Sequence, residues 1–365
     1  MRPFRIDVPE QVLADLRERL SRSRFTTATD STRWKAGADP SDLRALVEYW
    51  AGGFDWRGVE ARLNEYPQYV AEIEGQRVHF VHLRSPRPGA LPLVLTHGWP
   101  SCFAEMLALA GRLVADFDVV VPSLPGFAFS EAPRGPFTGR AVAGTWQHLM
   151  TTTLGYERYG AFGGDIGGSV TQWLGALYPA SVAGIHMTSG SLTSGVDPAV
   201  LDAAGLAYLD AQGAYDAQDG GYSEIMRTRP DTIAAALADS PAGLLAWIAD
   251  KYRDWSDCGG DLASRWGADD LLTVATIYWA TGTIGTSFRA YYDHPHSGPR
   301  PPITVPTGIT LSHEPLMEGF PESLARRAFP GLSHFTRPAS GGHFMAHEEP
   351  DYLAGQLRTF FGPLT

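Results

Sequence analysis

The chain has 365 residues, 44% hydrophobic and 19% charged, which excludes a disordered polymer and suits one large core carrying an insertion. A formal net charge of −11 excludes nucleic acid as a partner and disfavours docking on an anionic membrane, leaving neutral or apolar small molecules. The N-terminal Met1-Arg2-Pro3-Phe4-Arg5 lacks a signal peptide's apolar run, and no stretch reaches the ~18 apolar residues of a membrane span, so a soluble, cytoplasmic protein is expected.

Pro9 opens a helical pattern in which Val12, Leu13, Leu16 and Leu20 form one apolar stripe. The next stretch, with Tyr49-Trp50, Phe54-Asp55-Trp56 and Tyr66-Pro67-Gln68-Tyr69, reads as irregular, and residues 1–70 as a lead-in wrapping the core. Runs 78–83, 93–96, 119–121, 160–162 and 183–187 read as strands separated by helical segments. That rhythm is the signature of an α/β fold with a mainly parallel sheet, whose first part is assigned to residues 71–188. From 189 to 301 consecutive helical patterns, among them 230–237 and 241–250, describe a helical cap. Pro299-Arg300-Pro301-Pro302 marks the return to the core at 302–365, with strands at 303–311 and 332–337 and a closing helix at 350–361. Cys102 and Cys258 lie far apart and are expected as buried free thiols.

The strongest chemical signal is Gly163-Gly164-Asp165-Ile166-Gly167-Gly168, between a short strand and a helix. Small residues flanking one reactive side chain are what a nucleophile elbow requires, because the tight turn crowds its neighbours. The central residue is Asp165, which disfavours a serine esterase; a plain βα turn with an N-capping Asp is the bland reading. His97-Gly98-Trp99-Pro100 follows another strand, where this geometry places one oxyanion-hole donor. Trp99 and Ile166 would supply the two N–H groups; otherwise Trp99-Pro100 is simply a rigid turn in which a cis peptide is admissible.

Gly341-Gly342-His343-Phe344 precedes the last helix and could swing an imidazole over Asp165, although a lone histidine is more often structural. His343 and His347 have zinc-helix spacing, but Phe344 stands where such a motif needs glutamate, so no metal is expected. His294-Pro295-His296 reads as a solvated loop. An acid to orient His343 belongs after the 303–311 strand: Glu314 is the first candidate and Glu318 the second. Asp165, Glu314 and His343 then follow the nucleophile–acid–histidine order of α/β-hydrolases.

With these motifs the sequence resembles the epoxide hydrolase family, in the branch of microsomal, fungal and many bacterial enzymes. The resemblance spans nearly the whole chain, through Pro3-Phe4-Arg5-Ile6, His97-Gly98-Trp99-Pro100, Pro122-Ser123-Leu124-Pro125-Gly126-Phe127 and Gly163-Gly164-Asp165, and later Asp239-Ser240-Pro241-Ala242-Gly243-Leu244, Val305-Pro306-Thr307-Gly308 and Gly341-Gly342-His343-Phe344. It implies an α/β-hydrolase fold and two cap tyrosines that hold the epoxide oxygen. These are identified as Tyr222 and Tyr291, with the adjacent Tyr292 as alternative to the latter. Ile166 departs from the large aromatic that many members carry after the nucleophile. The implied reaction forms a vicinal diol through an Asp165 ester, with His343-activated water and neither metal nor organic cofactor. The expected partners are a small apolar epoxide and water; a homo-oligomer is left open. The rival readings are a haloalkane dehalogenase, which shares the Asp–His–acid layout, and a non-catalytic binding protein on a hydrolase scaffold.

Overall fold

The computed structural model describes residues 1–190, 192, 193 and 196–365. In chain order its strands are β1 (Arg2–Phe4), β2 (Gln68–Ile73), β3 (Gln76–Leu83), β4 (Pro92–Thr96), β5 (Asp118–Pro122), β6 (Tyr159–Gly163), β7 (Val182–Met187), β8 (Thr307–Thr310) and β9 (Leu332–Thr336). They form one sheet in the order β1-β2-β3-β5-β4-β6-β7-β8-β9. From β5 to β9 every pairing is parallel, whereas β1, β2 and β3 are antiparallel to their neighbours. Strands β4 to β8 are buried at every residue, as a sheet covered by helices on both faces requires. Their apolar runs carry no period-2 polar face for the same reason.

The lead-in is more regular than its composition suggests. Residues 40–63 are mostly helical, in Pro40–Gly52 and Trp56–Leu63, which corrects the irregular reading. The cause is local: Asp39 caps the first helix by accepting from the Ser41 and Asp42 N–H groups at 2.9 and 3.3 Å, with Pro40 at the first helical position. Asp55 caps the second through Gly58 N–H at 3.0 Å. The ends of the lead-in, β1 and β2, extend the sheet. Trp50 fastens the first of these helices by donating its indole N–H to Thr276 Oγ1 at 2.9 Å.

The 303–311 run forms a shorter strand than expected, β8, because Pro306 has no N–H to give to the ladder. Cys102 and Cys258 are buried and free. Between β7 and β8 the described elements are all helical, including Ala203–Asp219, Gly221–Thr228, Pro230–Asp239, Pro241–Trp255 and Ala268–Thr281. No single described helix is long and apolar enough to cross a membrane. Pro230–Asp239 and Pro241–Trp255 pass on length and composition only as a pair bent by 118°. The second of them buries Leu244, Leu245, Ile248 and Tyr252 inside the protein.

Candidate active site

Strand β6 ends at Gly163 and the helix Asp165–Leu177 starts two residues on. The turn forces Asp165 to φ +53°, a left-handed conformation rarely taken by a side-chain-bearing residue. Two neighbours must be glycine for it to close. A Cβ on Gly163 would lie 2.4 Å from the Gly167 carbonyl, and one on Gly167 only 2.0 Å from the Thr96 carbonyl oxygen. The Asp165 carboxylate therefore projects beyond the C-terminal ends of the parallel strands.

The loop after β4 comes to meet it. Buried His97 anchors this loop: burial holds its pKa down to about 4, so the ring is neutral and Nε2 accepts the Leu124 N–H at 3.1 Å. The Trp99 N–H donates to Asp165 Oδ1 at 2.8 Å, ahead of a cis Trp99–Pro100 bond. The Ile166 N–H, one residue on, also favours the ionised form of the same carboxylate. Burial raises the Asp165 pKa above the ordinary carboxylate range, and the charge of His343 and these two N–H groups oppose it.

His343 arrives from the loop after β9. Its N–H donates to the Trp255 carbonyl at 2.8 Å, and its ring packs on the Trp255 ring with centroids 4.9 Å apart. Nε2 lies 4.0 Å from Asp165 Oδ2, while Nδ1 lies 2.5 Å from Glu314 Oε2. Glu314 is buried and its other oxygen accepts from Ser312 Oγ at 2.6 Å. Glu318 is exposed, so of the two candidate acids only Glu314 meets the imidazole. Burial disfavours the His343 imidazolium, but the charge and hydrogen bond of Glu314, then Asp165 and Glu105, outweigh it and raise the pKa to about 9. The same contact drives Glu314 below its usual range despite burial.

The helices between β7 and β8 bring in the tyrosines. The Tyr222 ring stacks on Trp99 with centroids 5.7 Å apart and an interplanar angle of 10°, and Tyr291 meets Tyr222 edge-on at 6.2 Å. The two phenols lie against one another, and burial, followed by neighbouring charge, raises both above their ordinary pKa. Tyr291 lines a cavity of about 620 Å³ together with Asp165, Ile166, Glu314, Leu316 and His343. Tyr292 is 51% exposed and does not line this cavity. His347 stacks on Trp266 at 3.9 Å, and His294 lies on the cavity wall.

Comparison with known proteins matches this geometry to a family. Residues 1–106 match the family described as epoxide hydrolase N terminus, and residues 92–232 match the alpha/beta hydrolase fold. A putative epoxide hydrolase of Stigmatella aurantiaca is 37% identical over 99% of this chain and 85% of its own length. Epoxide hydrolase 1 of Sus scrofa is 32% identical over 100% of this chain and 89% of its own. The chain belongs to the epoxide hydrolase family. The structure of Aspergillus niger epoxide hydrolase superposes with a TM-score of 0.88 at 30% identity, covering 100% of this chain and 96% of that one. The Bombyx mori juvenile hormone epoxide hydrolase gives 0.87 at 28%, covering 100% and 93%.

Several residues of this epoxide hydrolase's site escaped the sequence reading. Ser189 Oγ accepts the Asp165 N–H at 3.0 Å and helps to hold the Glu314 pKa down, so it stands between the two carboxylates. It stands just past the end of β7, the neighbour of β6, so strand order was the signal that could have found it. Behind the carboxylate, Gly98, Glu105, Asp165, Thr188 and His343 enclose a cavity of about 10 Å³. Burial, only partly offset by a Ser101 hydrogen bond, pushes the Glu105 pKa up to about 7. No local motif marks Glu105; it is one acidic residue on the turn Phe103–Met106.

Proposed function

We propose that this epoxide hydrolase works through a covalent ester on Asp165. An epoxide carbon is saturated, so opening the ring is a displacement that needs an anionic nucleophile, which a carboxylate supplies at neutral pH. Asp165 Oδ2 attacks the carbon, one ring C–O bond breaks, and Tyr222 or Tyr291 gives its proton to the departing oxygen. The product of this half is a hydroxyalkyl ester.

Its hydrolysis uses the other side of the site. While Asp165 is ionised it helps to keep His343 protonated; esterification removes that charge and lowers the imidazole pKa, so the imidazolium proton passes to the tyrosinate left by ring opening and His343 becomes a base. Water then adds to the Asp165 carbonyl carbon as its proton passes to Nε2. The oxyanion faces the Trp99 and Ile166 N–H groups, a contact worth about 3–4 kcal/mol per donor. Collapse breaks the ester bond as the second proton of the added water passes to the departing alkoxide, which frees the vicinal diol and leaves Asp165 as the carboxylate and His343 protonated again. The small cavity beside Glu105 has the volume for one water between nucleophile and base.

The observation carrying this reading is Asp165, with its Oδ1 on the Trp99 N–H and its Oδ2 4.0 Å from an imidazole that Glu314 orients. The cavity is large enough for a bulky epoxide, with apolar contact from Phe137, Ile166, Leu316 and Met317. A single turnover in heavy-oxygen water tests the route: the label is expected in the Asp165 carboxylate, and label appearing only in the diol would exclude the ester.

A further inference from the structure

Lys251 is one of only two lysines in the chain, and it is buried. Its ammonium bonds Asp219 at 2.9 and 3.1 Å and pairs with Asp250 at 3.3 Å and Asp254 at 3.8 Å. It also lies 4.9 Å from the centre of the Tyr222 ring and 5.8 Å from that of Trp255. The cluster continues outward: Tyr215 donates its hydroxyl to Asp219 at 2.8 Å and receives the Trp255 indole N–H at 3.0 Å. Trp255 in turn packs on His343.

A buried ammonium among half-buried carboxylates is weak evidence for stability, since its desolvation offsets much of their attraction. Its place against the Tyr222 ring needs another reason. We propose that Lys251 is a positioning residue for ring opening: its ammonium, pinned by Asp219 and Asp250, holds the Tyr222 ring against Trp99 so that the hydroxyl stays beside that of Tyr291. A cation on a ring face fixes the ring's plane without contacting the hydroxyl, which leaves the phenolic proton free for the substrate. It also neutralises Asp219, whose charge otherwise bears on the phenol together with Asp165, Glu314 and Tyr215. The proposal rests on Tyr222 acting at the epoxide oxygen, and the experiment separates the two ideas.

The experiment follows styrene oxide by rapid quench and intact-protein mass, giving separate rate constants for ester formation and ester hydrolysis in the full chain. Lys251→Met is expected to slow ester formation about tenfold to thirtyfold, the scale of one desolvated cation–π contact. Hydrolysis should stay within about threefold, because Tyr222 has no part in it, and Lys251→Arg should restore part of the loss. Adding Lys251→Met to Tyr222→Phe should cost nothing further in ester formation. Because Lys251→Met leaves half-buried carboxylates without their cation, a Lys251→Met/Asp219→Asn chain carries the same expectations if the single variant does not fold. Equal loss in both halves, or additive loss with Tyr222→Phe, overturns the role of Lys251. An unaffected Tyr222→Phe instead overturns the reading of the tyrosine.

Discussion

The strand ends and the helices between β7 and β8 contribute to one site by different means. At the strand ends position is set by backbone: Asp165 by a positive-φ turn between glycines, and its two N–H partners by the loop after β4 and the first turn of a helix. In the helices position is set by side chains: Tyr222 by Trp99 and Lys251, and Tyr291 by Tyr222. Backbone placement leaves no slack, and in the proposed reaction every step passes over it. Side-chain placement tolerates adjustment and, in that proposal, serves the one step in which the epoxide oxygen departs.

The largest effects should therefore come from the strand ends. Asp165→Asn keeps the shape of the elbow but removes the anionic nucleophile, and steady diol formation should fall about 10⁴-fold or more. Undiminished turnover would take Asp165 out of the mechanism. His343→Gln should leave ester formation running and slow its hydrolysis on the order of 10³-fold. Intact-protein mass should then show the adduct accumulating, and its absence would mean that the two halves are not divided in this way.

The helices should answer more mildly. Tyr222→Phe is expected to slow ester formation about 100-fold and leave hydrolysis of a preformed ester unchanged, because Tyr291 can still donate. If hydrolysis slowed equally, the contrast between the two regions would fail.

The same contrast explains what could be read in advance. Gly163, Gly167 and Asp165 are neighbours in sequence as well as in space, so a local pattern contains the whole elbow. Glu314 and Glu318 could not be separated, because the choice depends on which of them is buried against a loop 29 residues later. Ser189, Glu105 and Lys251 carry no local pattern; strand order and helix packing bring them in. The two tyrosines were reached by family resemblance, since a buried tyrosine by itself says only that its ring is packed. In the lead-in, the density of large aromatics masks the capping chemistry of Asp39-Pro40 and Asp55, which is local in the sequence.

Glycine substitutions sharpen the comparison in stability rather than rate. Gly167→Ala places a methyl against the Thr96 carbonyl and should cost about 2 kcal/mol, with loss of activity. Gly213, within the helix Ala203–Asp219, has open space where a Cβ would go. Gly213→Ala should stabilise by about 0.5–1 kcal/mol through helix propensity, with activity retained. Urea midpoints of the two variants check both signs.

A pH dependence that differs between the regions tests the comparison without altering the fold. His343 is raised from about 6.5 to about 9, so the folded state binds its proton more tightly than the unfolded chain. Its contribution is complete below about pH 6.5 and is lost as pH rises through about 9. Tyr222 and Tyr291 are raised as well, but from an ordinary value of 10.0, so their contribution declines only above pH 10. Between pH 6.5 and 9 the melting temperature of the wild-type chain should thus fall more steeply than that of His343→Gln, while Tyr222→Phe keeps the wild-type slope. Parallel slopes for all three chains would show that the His343–Glu314 contact does not raise the imidazole pKa. Esterification could not then be what converts that imidazole into the base for the second half-reaction.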